Sequence, residues 1–79
     1  MIDSQVIRKI RAVYRLSLRE MGALLSVSES HLCRIEKNER IITPTIRSNL
    51  IQEFALDDSK LVRILALYDE FTVKGAVTG

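Results

Sequence analysis

The run from Ser17 to Glu36 leaves this chain few ways to fold. It reads as two short amphipathic helices joined by a turn of three to four residues. Ser17 and Glu20 have the S-x-x-E spacing of a capping box, in which the hydroxyl takes a first-turn N–H and the glutamate reaches back. Met21, Leu24 and Leu25 give the first helix an apolar face. Gly22 stands in mid-helix, where glycine costs about 1 kcal/mol relative to alanine. Two helices crossing closely at that point give it a reason to be there. Ser26 and Val27 make the turn, with Val27 as the single apolar turn residue that can tuck inward. Ser28 caps the next helix. There Leu32 and Ile35 point inward, and Glu29, Ser30, Cys33, Arg34 and Lys37 lie on the opposite, outer face. The helix ends near Lys37-Asn38, where asparagine tolerates the left-handed conformation that closes a helix.

Three more helices surround this pair. From Ser4 to Tyr14, the residues Val6, Ile7, Ile10, Val13 and Tyr14 fall on one stripe at helical spacing, with Arg8, Arg11, Ala12 and Arg15 off it. Thr43-Pro44 is a second start signal, threonine as cap and proline at the first helical position. Ile46, Leu50, Ile51 and Phe54 give the fourth helix its stripe. Asp57, Asp58 and Ser59 open a fifth, since acids favour a helix N-terminus, and it runs to about Phe71. The β-branched residues sit at helical spacing, so no strand is expected. The fold class is all-α with five helices in one domain. Residues 1–56 hold the first four, 57–71 the fifth, and 72–79 read as a flexible tail.

Seventy-nine residues suit one domain. A chain of this size buries only about 60–65% of its unfolded surface, so its core is small. No apolar run approaches the roughly 18 residues that span a bilayer, and no basic-then-apolar leader opens the chain. Cys33 is the single cysteine, which excludes an internal disulfide framework. A cytoplasmic location is the expectation. The net charge is +2 but unevenly placed: nine bases and five acids up to Arg47, three bases and five acids from Ser48 onward. That division suits a domain offering one face to a polyanion and another to a partner, although an ordinary solvated surface has the same counts. There is no paired acid, no nucleophile–base set, no phosphate-binding loop and no metal cluster. Neither an enzyme nor a cofactor nor a metal site is expected.

The stations Ser17, Met21-Gly22, Ser26-Val27-Ser28 and Ile35-Glu36 together resemble the phage-repressor and Cro-like (Xre-type) helix-turn-helix family, over about Ile7 to Leu56. The resemblance implies a lambda-repressor-like DNA-binding domain. It also implies a sequence-specific transcriptional regulator, a repressor from a phage or mobile element, that reads double-stranded DNA as a homodimer. The helix 28–37 would enter the major groove of a palindromic operator. By the same resemblance Arg11 and Glu36 form a structural ion pair, and Ser28, Glu29, Ser30 and Arg34 are base-reading. Arg40, Thr43 and Thr45 are phosphate contacts near the fourth helix. Three stations depart from the family pattern. Leu18 replaces a phosphate-gripping glutamine, for which neighbouring Arg19 can substitute. Ser26 replaces the turn glycine and must take a less comfortable backbone or a different turn. Gly22 replaces alanine.

The side-chain chemistry is compatible with those roles. Arg34 can donate two hydrogen bonds to guanine O6 and N7, or bind a phosphate, and Glu29 can accept from cytosine N4. Ser30 can serve base or backbone. A first-turn acid and a solvated arginine are the plain alternative for Glu29 and Arg34. Arg19, Lys37 and Arg40 form the phosphate group, with Arg8, Lys9 and Arg15 further away. His31 reads as a packing residue or a DNA contact ahead of a metal ligand, and Cys33 as a small tolerated residue whose oxidation would block docking. The fifth helix is apolar nearly all round. Such helices are buried on more than one side, so a second copy is expected at Leu61, Leu65, Tyr68 and Phe71. A monomer with a greasy last helix is the alternative. A competing reading makes the chain a protein-interaction module (antitoxin, antirepressor or assembly factor) acting through that helix.

Overall fold

A computed structural model describes residues 2–71. They form α1 (Ser4–Val13), α2 (Leu18–Leu25), α3 (Glu29–Glu36), α4 (Pro44–Phe54) and α5 (Asp58–Phe71), with no strand among them. The tail expected from residue 72 onward lies outside the described residues.

Each helix opens on a side chain that satisfies a first-turn N–H which has no partner within the helix. Asp3 accepts from the Val6 N–H at 2.9 Å, Ser28 from His31 at 3.0 Å and Thr43 from Ile46 at 3.2 Å. Asp57 accepts from Lys60 at 2.7 Å. At α2 the capping box is closed in both directions: Ser17 Oγ accepts from the Glu20 N–H at 3.0 Å, and Glu20 Oε1 from the Ser17 N–H at 2.8 Å. The first four helices also end alike. A residue in the left-handed region follows each one, Arg15 at φ 57°, Ser26 at 62°, Asn38 at 64° and Ala55 at 49°. The N–H one residue further on then bonds the carbonyl five back: Leu16 to Arg11, Val27 to Gly22, Glu39 to Arg34 and Leu56 to Ile51. This closure takes up carbonyls that the helix itself leaves open.

The core draws on every helix: Val6, Ile7 and Ile10 from α1, Met21 and Leu25 from α2, Leu32 and Ile35 from α3, Ile46, Leu50 and Phe54 from α4, and Ile64 from α5. α2 packs against both α3 and α4, while α1 packs against α3 and α5. α1 and α5 run in the same direction. Ile2 shares a groove with Leu61, Lys9 Nζ lies 5.3 Å from the Tyr68 ring centre, and Ala12 and Val13 share a groove with Leu67 and Phe71.

Two expectations need correction. Tyr14 is on the edge of the α1 stripe and stays exposed, its ring resting on Phe54 with centroids 4.8 Å apart. Ile51 is 39% exposed, because Ile46, Leu50 and Phe54 already fill the inward side of α4. Arg11 lies off the apolar stripe and is partly covered, with Glu36 holding its guanidinium. α5 buries only Ile64, and Val62, Leu67 and Phe71 stay exposed on it.

Candidate nucleic-acid interface

The α2–α3 unit is built around a contact between backbones. Gly22 is buried, and a Cβ placed there would lie 2.8 Å from the Val27 carbonyl oxygen. The Gly22 carbonyl in turn accepts the Val27 N–H at 2.9 Å. The missing side chain therefore lets the end of the turn lie against the helix that precedes it. Ser26 takes the left-handed conformation that the turn demands, and Val27 tucks against the core. α3 then leaves the turn with Ser28 as its cap and seats Leu32 and Ile35 in the core.

The outer side of α3 is thereby fixed. Glu29, Ser30 and Arg34 are exposed, and neither charged residue is engaged in an ion pair among the described residues. Ser28 is exposed as well. Its oxygen is occupied by the His31 N–H, which leaves the hydroxyl proton free to donate. His31 and Cys33, flanking Leu32, are each half-buried. Cys33 is thus less open than a purely outward position implies. Among the described residues no three His, Cys, Asp or Glu side chains gather as a metal would require.

Arg11 and Glu36 lock the far end of α3 to α1. Arg11 Nε donates to Glu36 Oε2 at 2.7 Å and Nη2 to Oε1 at 2.9 Å, a two-pronged contact, while Nη1 reaches the Leu16 carbonyl at 3.1 Å. The Glu36 side chain is only 6% exposed, so this contact is its main compensation for lost water. The hydrogen bond to Glu36 raises the Arg11 pKa above its already high ordinary value, against the opposing effect of partial burial.

The residues expected to meet phosphates occupy two helix starts and one connection. Arg19 is exposed in the first turn of α2, Thr45 in the first turn of α4, and Lys37 and Arg40 in the segment between α3 and α4. Thr43 is half-buried, its oxygen taken by the Ile46 N–H. None of the three cations is paired among the described residues.

The four α5 residues expected to meet a partner are not equally available. Leu61 packs against the core, Leu65 and Tyr68 are half-buried, and Phe71 is 77% exposed. The reason is the parallel pairing of α1 and α5, which covers the side carrying Leu61 and Tyr68. Val62 and Leu67, outside the four residues expected at the interface, are exposed apolar residues of the same helix. Tyr68, Leu67 and Phe71 line a groove of about 520 Å³ with Ala12, Val13 and Arg15. No family model, curated protein or solved structure matches the chain.

Proposed function

We propose that the chain is a helix-turn-helix transcriptional regulator, a repressor, that reads double-stranded DNA through the helix 28–37 and binds a palindromic operator as a homodimer. The observation that carries this reading is the division of α3. Leu32 and Ile35 are fully buried, while Glu29, Ser30 and Arg34 face outward with their polar groups unspent. A helix held by one side and polar on the other suits the major groove, where each base pair shows its own pattern of donors and acceptors. In this reading Arg34 and Glu29 read bases, with Ser28 and Ser30 assisting. Arg19, Lys37, Arg40, Thr43 and Thr45 hold the backbone and set the register. The site of action is the cytoplasm, and the role is binding without catalysis.

The partner in this reading is a second copy, met through the last turns of α5, where Leu67 and Phe71 leave apolar surface open. A two-fold dimer matches the symmetry of an inverted repeat. Selection of bound duplexes from a random DNA pool tests the whole reading. Enrichment of an inverted repeat with half-sites about one helical turn apart is the expected result. No enrichment from folded protein would overturn it. A second reading, a protein-interaction module such as an antitoxin or antirepressor, draws on the same groove beside Phe71 and predicts protein partners without salt-dependent DNA binding.

A further inference from the structure

α3 and α4 carry the two halves of the proposed interface, base-reading side chains on one and backbone-contacting residues at the start of the other. α3 packs on α2 and α1, and α4 packs on α2. α2 is the support that α3 and α4 share. Its end is fixed by hydrogen bonds of two kinds. The local ones run from the Ser26 N–H to the Ala23 and Gly22 carbonyls and from the Val27 N–H to Gly22 at 2.9 Å. The other comes from outside: Asn49 Nδ2, on α4, donates to the Leu25 carbonyl at 3.1 Å. Leu25 is the last residue of α2, so its carbonyl has no partner within the helix. Asn49 is half-buried between Ser48 on the open side of α4 and Leu50 in the core.

We propose that Asn49 is a positioning residue for base reading. Its carboxamide fastens α4 to the carbonyl that precedes the α2–α3 turn, so that α3 and the N-terminus of α4 keep one mutual geometry. This rests on the DNA-reading proposal above. Contacts to phosphates fix register, and contacts to bases specify sequence only while that register holds. A loosened α2 end lets the two sets of contacts drift against each other. Non-specific attraction, set by charge, has no such requirement.

The test compares the intact chain with Asn49→Leu, which keeps the side-chain size and removes the donor, and with Ile64→Val, which thins the buried contact of α5. Two readouts are needed. The first is the ratio of affinities for a duplex selected by the intact protein and for an unrelated duplex of equal length. Asn49→Leu should lower that ratio roughly five- to tenfold, the scale of one lost hydrogen bond, and leave the unrelated duplex unaffected. Ile64→Val should lower the melting temperature and leave the ratio unchanged. The second is amide hydrogen exchange of the free protein. Asn49→Leu should speed exchange at Val27 and along α3 more than along α1. Equal acceleration everywhere, or an unchanged affinity ratio, overturns the positioning role. If the intact protein selects no duplex, the DNA-reading proposal fails, and the exchange pattern still decides whether Asn49 holds α3 in place.

Discussion

At Gly22 a methyl group has two opposing effects. Alanine gains about 1 kcal/mol of helix propensity over glycine. The same methyl would sit 2.8 Å from the Val27 carbonyl oxygen, a backbone atom in a turn already tied by its own hydrogen bonds. A flexible side chain could move aside, but this carbonyl can retreat only if the turn opens. Overpacking of this kind costs about 1–3 kcal/mol, so collision prevails and Gly22→Ala should lower the urea midpoint of unfolding. An equal or higher midpoint would show that the turn can back away. That two helices meet closely at Gly22 is legible in the sequence, because a mid-helix glycine needs a reason. That Val27 supplies the obstacle is not, since it depends on how far the turn folds back.

Among the helices, the Arg11–Glu36 pair is the covered electrostatic tie, joining α1 to the end of α3. Removing the arginine alone leaves a nearly buried carboxylate without its partner, an error worth about 3 kcal/mol. Arg11→Met should therefore destabilise strongly, and adding Glu36→Leu should recover much of the loss. A double variant no more stable than the single one would mean that the pair's geometry matters beyond its charge. The α2 cap carries a pH dependence of its own. The Ser17 backbone N–H, helped by the Ser17 hydroxyl, holds the Glu20 carboxyl below the ordinary glutamate range. A carboxyl depressed by folding stabilises above its unfolded pKa, and that contribution is lost as pH falls through the lower folded value. Glu20→Gln keeps an acceptor for the cap and should flatten the acid side of a melting-temperature profile. A profile identical to the parent would remove Glu20 from the account. Helix starts are legible because caps and apolar spacing are local. Ile51 and the outer side of α5 are not, because neighbours in space decide how wide a face is covered. The Asn49–Leu25 tether spans 24 residues and leaves no local trace.

Over the whole molecule, charge sets what a polyanion would meet. Arg19, Lys37 and Arg40 are exposed and make no ion pair among the described residues. If each neutralises one phosphate, each alanine variant should flatten the slope of log affinity against log salt by about 0.9. Unchanged slopes would place the DNA backbone elsewhere. The same molecule closes its first four helices in one manner, with arginine, serine, asparagine and alanine in a left-handed position that favours glycine. Those side chains strain the native backbone by roughly 1–2 kcal/mol at an alanine such as Ala55. They also restrict the unfolded chain, and glycine would release that restriction. Strain varies little with temperature, whereas an entropic restraint grows in proportion to it. Ala55→Gly should therefore help most in the cold and progressively less on warming, which unfolding curves taken at several temperatures would reveal. Closing helices without glycine thus shifts the balance of this small domain toward endurance at the warm end of its range, and away from its stability when cool.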